Sequence, residues 1–332
     1  MLLSIIGLVS IAISVSASSA KQAFNWNSTK EFIAFGDSYT YVQGVFGRQN
    51  YSFIGDNFNI PFTPEELLSN LIVQNQTSTA EGGPNWVEFL TGCGLKEGLT
   101  DPRSCGVHLW DFAFAGADIS EVLTPLHHNY TVSLEKQVQQ FVDYGNPALT
   151  PFVNKHHTLV AFWIGINDIN DLAKPAGNAT FATLYDQLQT QHFELVERAY
   201  ELGYRQFLFL NLPPLDRGPP TPSVNATTVS LFNNVLTAHA TNYSAARPDA
   251  EVLLFDVNSV LNRVLDNYES FGFTNITNYC PGYNQPDIET DPGKYGCDSL
   301  DKYFWYNSGH LTSRTHEVFT KELRKFLVDK SG

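Results

Sequence analysis

The sequence predicts an α/β domain in which helices cover both faces of a parallel sheet of about five strands. Three observations carry that expectation. Five segments run nearly continuously in Phe, Leu, Val and Ile instead of alternating apolar with polar, as strands without a solvated face do. Between them lie segments whose apolar residues recur at helical spacing. The 332 residues, 43% of them hydrophobic, also suffice for one sizeable core.

In chain order, the first twenty residues, MLLSIIGLVSIAISVSASSA, hold an apolar run of roughly 14 residues and a small-residue tail, the form of a secretory signal peptide cleaved near Ala17 or Ala20. The run is short for a membrane span, so residues 21–332 are expected to form one domain without a stable membrane anchor. "EFIAFGD" from Glu31 reads as the first strand. Residues 41 to 107, rich in Gly, Pro, Asn and Tyr, then break the alternation, and "HLWDFAFAG" from His108 resumes it. "SLEKQVQQFVDY" places Leu134, Val138, Phe141 and Val142 on one helical face ahead of the strand "TLVAFWIG" from Thr158. "ATLYDQLQTQHFELVERAYELG" is a longer helix stopped at Gly203. The strand "QFLFLNLPP" from Gln206, the helix "VSLFNNVLTAH", the strand "EVLLFDV" from Glu251 and the helix "SVLNRVLDNY" follow. A second irregular stretch, 269 to 303, precedes the last helix, "SRTHEVFTKELRKFLVDK", with Thr312 and Ser313 as candidate caps. Long loops in open α/β sheets gather over the carboxyl ends of the strands, where ligands bind.

A net charge of −14 without a Lys/Arg cluster argues against long-range attraction to nucleic acid or anionic lipid. Eight Asn-X-Ser/Thr sequons, at Asn27, Asn50, Asn75, Asn129, Asn178, Asn225, Asn242 and Asn275, together with the leader argue for a glycosylated, extracellular protein. The four cysteines fit an oxidising compartment. Pairing of Cys93 with Cys105 and of Cys280 with Cys297 is favoured, because each pair closes a short Gly- and Pro-containing loop, a constraint worth about 3 kcal/mol in chain-entropy terms. Zinc spacing is absent, and no metal is expected.

Three strands end in small polar residues: Gly36-Asp37-Ser38, Gly116-Ala117-Asp118 and Gly165-Ile166-Asn167-Asp168. Ends of strands in one parallel sheet lie side by side, so Ser38, Gly116 and Asn167 can converge on one crevice. Near the far end of the chain, "FWYNSGHLTS" sets His310 on a loop just before the last helix. A serine hydroxyl needs an imidazole to take its proton, and ester attack creates an oxyanion that needs donors aimed at it in advance. The N–H groups of Ser38 and Gly116 and the Asn167 amide would be those donors. Other conspicuous residues carry plainer readings. His127-His128 and His156-His157 read as solvated loop positions, Asp168 as a loop anchor, and most of the Trp residues as core, with Trp305 and Tyr306 adjoining His310.

In "FGDSYT", "FAFAGAD", "GIND" and "NSGHLT", the chain resembles the GDSL, or SGNH, hydrolases over essentially its whole mature length. The flanking "GGPNWVEFL", "WIGINDI" and "LFLNLPPL" resemble those of secreted fungal members, including acetylesterases of the carbohydrate-esterase class. The resemblance implies a three-layer α/β/α flavodoxin-like fold, no cofactor, Ser38 as nucleophile, His310 as base, and Ser38, Gly116 and Asn167 as the oxyanion hole. It implies a secreted esterase, expected to be monomeric, that removes short acyl groups, acetyl above all, from small-molecule or oligosaccharide esters. A lipase or lysophospholipase, and a non-catalytic glycan-binding homologue, are the alternatives. Two positions depart from the family's pattern: Asp111 stands where Asn is usual, and Asn307 stands where Asp usually precedes the histidine by three residues. Three readings of the second are open: Asn307 or a backbone carbonyl orients the imidazole, Asp298 or Asp301 does so instead, or turnover is feeble.

Overall fold

The computed structural model describes residues 23–54, 63–172, 179–219 and 224–332. The proposed leader and the sequon at Asn178 lie outside the described residues. Strands β1 (Glu31–Gly36), β2 (Gln43–Gly44), β3 (Ile72–Gln74), β4 (Gly98–Thr100), β5 (His108–Asp111), β6 (Thr158–Trp163), β7 (Gln206–Leu210) and β8 (Glu251–Phe255) form two sheets. The helices are α1 (Pro64–Ser69), α2 (Trp86–Thr91), α3 (Leu134–Gln140), α4 (Asn146–Leu149), α5 (Ile166–Asp171), α6 (Phe181–Glu201), α7 (Ala226–Ala246), α8 (Val257–Asp266) and α9 (Ser313–Asp329).

The five apolar segments are the five strands of the main sheet, parallel and ordered β5-β1-β6-β7-β8. Every residue of β1, β6 and β7 is buried, as expected of strands without polar alternation. Neighbouring residues of β6 show the two covered faces. Phe162 packs against His192 of α6, whereas Trp163 packs edge-on against Phe319 of α9. Helix α6 lies between α3 and α7 on the first face, and α9 lies against α2 and α8 on the second. The result is the three-layer α/β/α arrangement. The chain leaves β1 for β5 on one side and later enters β6 on the other, so the direction of winding reverses between β1 and β6, the point where a crevice opens outside the strand ends.

The irregular stretches hold structure that periodicity does not announce. Residues 41 to 107 contain an antiparallel sheet ordered β2-β3-β4 and the helix α2, whose Asn85 and Glu88 form a reciprocal capping box. "SLEKQVQQFVDY" is not one α-helix: α3 passes through a π-helical turn at Phe141–Gly145 into α4. Both expected disulfides form, Cys93–Cys105 and Cys280–Cys297, with Cα atoms 5.4 and 5.6 Å apart. The second stands in a small cluster with Ile288, Leu300, Tyr303 and Tyr306, beneath the loop that carries His310. Asn27, Asn50, Asn75, Asn129, Asn225 and Asn242 are exposed, and Asn275 is half-buried. Among the described residues, no helix is long and apolar enough to cross a membrane.

Candidate active site

Strand β1 ends at Gly36, whose backbone is clamped from both sides by Gln137: its N–H donates to Oε1 at 3.1 Å and its carbonyl accepts Nε2–H at 2.8 Å. A β-carbon at Gly36 would lie 2.4 Å from the Trp163 carbonyl oxygen, so only glycine lets β1 run this close to β6. The chain then turns, with the N–H groups of Thr40 and Tyr41 both donating to the Asp37 carbonyl. That turn lifts Ser38 over the strand end with 8% of its surface exposed.

Gly116 follows β5 at φ 82°, a left-handed conformation that glycine adopts without strain. Asn167 lies in the first turn of α5 and donates one amide hydrogen to the Ala117 carbonyl at 2.9 Å, which leaves the second free to act. Among the described residues the N–H groups of Ser38 and Gly116 meet no acceptor. Asp168, one residue on, is a loop anchor, as expected: its carboxyl accepts the Ile119 N–H at 3.1 Å and the Thr124 hydroxyl at 2.9 Å.

The opposite wall is the loop before α9. It is closed by the Tyr306 N–H donating to the His310 carbonyl at 2.8 Å, and Thr312 caps the helix by accepting the Thr315 N–H. His310 Nε2 stands 2.8 Å from Ser38 Oγ, and Nδ1 stands 2.9 Å from Asn307 Oδ1. The same Oδ1 accepts the Gly309 N–H at 2.9 Å. That second bond fixes which end of the amide faces the ring, because a backbone N–H cannot donate to the NH2 group. Nδ1 therefore carries the proton and Nε2 presents its lone pair to Ser38. The other candidates for this role lie elsewhere. Asp298 meets Thr274, and Asp301 meets Ser299 and Lys302, so neither supports His310. Asp111, in place of the usual Asn, accepts the Ala113 N–H at 2.7 Å.

Burial pushes the His310 imidazole down to about 4, helped by the charge of His127 nearby. Beneath the strand ends, burial raises Asp168 to about 7 and Asp37 to about 8, each also in the field of a neighbouring carboxyl. The candidate base is thus neutral over a wide pH range.

Ser38, Gly116, Asn167, Asn307 and His310 line one cavity of about 480 Å3. Trp305 and Tyr306 do not, being 1% and 6% exposed; the aromatic walls are Tyr41, Tyr51 and Tyr283. His127 and His128 also line it, so their reading as ordinary solvated loop positions was incomplete. His127 Nδ1 lies 2.8 Å from Asp171 Oδ2. Their separation of 44 positions along the chain hides this pair from the sequence; its one available sign is that Asp171 falls a helical turn after Asn167. Among the described residues no group of three or more His, Cys, Asp or Glu side chains is arranged to hold a metal.

The profile of the GDSL-like Lipase/Acylhydrolase family matches residues 32–323. An acetylesterase of Thermothelomyces thermophilus is 25% identical over 265 residues, which cover 76% of this chain and 78% of that protein. An acetylesterase of Hypocrea jecorina is 22% identical over 91% of this chain and 90% of its own. Among solved structures, LAE5, an alpha/beta hydrolase enzyme from the metagenome of Lake Arreo, covers 91% of this chain and 97% of its own at 12% identity, with a TM-score of 0.44.

Proposed function

The chain belongs to the GDSL-like lipase/acylhydrolase family and is a carboxylic ester hydrolase; from that premise we propose that it is a secreted acetylesterase acting on carbohydrate esters through an acyl-enzyme on Ser38. The observation that carries this reading is the 2.8 Å approach of Ser38 Oγ to a His310 Nε2 whose lone pair is held in place from behind.

In the proposed route Ser38 Oγ attacks the ester carbonyl while His310 Nε2 takes the hydroxyl proton. The carbonyl oxygen becomes an oxyanion among the Ser38 and Gly116 N–H groups and the free amide hydrogen of Asn167. The tetrahedral intermediate collapses as the imidazolium returns its proton to the departing alkoxide, and the alcohol leaves. A water then loses a proton to the same nitrogen, attacks the acyl-enzyme, and acetate departs as Ser38 regains its hydrogen.

Two features support a short acyl group and a polar alcohol. The cavity wall is dominated by Asn, Ser, His and Tyr side chains, with Ala80, Ala115 and Ile166 its aliphatic members, so the described residues form no apolar channel for a long chain. Both fungal relatives named above are acetylesterases. The leader-like N-terminus, two disulfides and exposed sequons support export. The non-catalytic alternative draws no support from a serine already engaged by its base.

Labelling by a fluorophosphonate tests the nucleophile: wild type should react and Ser38→Ala should not. Hydrolysis of p-nitrophenyl acetate against the decanoate tests the acyl group. Preference for the decanoate would replace this reading with a lipase.

A further inference from the structure

Resting on the acetylesterase reading, we propose that His127, oriented by Asp171, binds a hydroxyl of the alcohol half of the substrate and so selects esters of sugars or similar polyols over esters of plain alcohols.

The oxyanion already has three donors and an acetyl group has no further polar atom, so any additional polar recognition in the cavity falls on the alcohol. His127 is built for that task. Its ring lies against Gly116, where an added β-carbon would meet Cδ2 at 3.0 Å, so it borders the oxyanion hole directly. The Asp171 carboxylate accepts the Nδ1 hydrogen at 2.8 Å, which sets the tautomer and turns the Nε2 lone pair outward. Among the described residues Nε2 has no partner, although His127 lines the cavity that holds Ser38 and His310.

The ring is also braced from the side. His127 and His128 have centroids 4.5 Å apart, and His128 stacks on Tyr130 at 5.0 Å. The backbone between them is tied by the His128 N–H donating to Thr131 Oγ1 at 3.1 Å. Tyr130 is in turn covered by the Arg48 guanidinium at 3.8 Å. An exposed histidine with no ligand to hold would not need this framework. A hydroxyl of a bound pyranose donating to Nε2, with the sugar ring beside Tyr51 and His128, uses every part of it.

Two probes test the proposal: p-nitrophenyl acetate, whose alcohol carries no further hydroxyl, and a monoacetate of methyl β-xylopyranoside. The readout is the ratio of kcat/KM on the sugar ester to that on the aryl ester. His127→Ala should lower this ratio by about 3- to 10-fold, the usual consequence of losing one hydrogen bond at a solvent-accessible position, with most of the change in KM for the sugar ester. His127→Gln, which keeps a hydrogen-bonding amide, should recover part of it. Asp171→Ala should lower the ratio in the same direction, and Asp171→Asn, whose amide oxygen still accepts Nδ1–H, should do so less. A ratio within about twofold of wild type in His127→Ala would overturn the inference, as would equal losses on both esters. Fluorophosphonate labelling of Ser38 separates this failure from that of the esterase reading: labelled enzyme with an unchanged ratio sinks only the His127 role, and unlabelled enzyme inert to both esters sinks both.

Discussion

An amide can stand where related enzymes place a carboxylate only if it shows the imidazole its oxygen. Asn307 does so because Gly309 donates its N–H to that same oxygen at 2.9 Å. In the serine-protease template, replacing the Asp by Asn costs about 10⁴ in rate because the histidine takes the wrong tautomer; here the loop backbone removes that failure. What the amide lacks is charge. Nothing offsets the burial that holds His310 down to about 4, so the acid limb of kcat/KM in wild type should fall near that pH. Asn307→Asp would set a carboxylate beside Nδ1 and favour the imidazolium, so the limb should move to higher pH by on the order of one unit or more, with kcat at neutral pH equal or raised. A pH–rate profile of the two proteins checks both statements, and a large loss of kcat in Asn307→Asp would show that the amide itself is required. Asn167→Ala removes one of the three proposed oxyanion donors and should lower kcat by about 10²- to 10³-fold with little change in KM, measured on p-nitrophenyl acetate.

At the scale of elements, the site depends on how closely β1 approaches β6. Gly36→Ala would drive a methyl group into the Trp163 carbonyl, 2.4 Å away, and the strand would have to move, carrying Ser38 two residues on. A loss of about 1–3 kcal/mol in stability and a fall in kcat larger than any change in KM are expected, from thermal melts and steady-state kinetics. The same element shows why the sequence was so informative here. Continuous apolar runs mark all five parallel strands because β1, β6 and β7 are buried on both faces and the edge strands β5 and β8 are mostly covered, and Ser38, Gly116 and Asn167 are found by standing just past such runs. The small sheet of β2, β3 and β4 was not legible: strands of two or three residues are too short for any period to register, and their pairing depends on partners far along the chain. The π-helical turn after α3 escaped for a related reason, since one extra residue in a turn leaves the apolar pattern of Leu134, Val138 and Phe141 intact. His127 and Asp171 meet only through the fold, and Asp298 and Asp301 looked available only because sequence nearness to His310 says nothing of direction.

Across the whole molecule, the groups that pack beneath the catalytic surface set how stability responds to pH. Burial raises the carboxyls of Asp37 to about 8, Asp168 to about 7 and Asp118 to about 9, and it raises Glu81, Glu88 and Asp111 as well. Each of these holds its proton in the folded chain at pH values where the unfolded chain has released it. Their contribution to stability is therefore complete below about pH 4 and is lost as pH rises through the folded values. Buried histidines act in the opposite sense: His192 and His310 are held down to about 3 and 4, and His316 is also lowered, so they cost stability as pH falls below the ordinary imidazole range. Between about pH 4 and 6.5 the two effects partly cancel. Above that range the histidines are neutral in both states and the carboxyls alone act, with repulsion from a net charge of −14 adding to the same trend. The melting temperature should accordingly fall already from pH 5 to 6.5, because six carboxyls outnumber three histidines, and go on falling by several degrees toward pH 8.5, at roughly 2–4 °C per kcal/mol. Differential scanning calorimetry across that range decides the matter, since a melting temperature that holds or rises from pH 6.5 to 8.5 would mean the carboxyls are ionised in the folded chain. Because His310 remains a base well below pH 6, the pH range of greatest stability and the range of catalytic competence overlap in mild acid. An assay at pH 5.5 should retain most of the activity seen at pH 7, with a longer half-life.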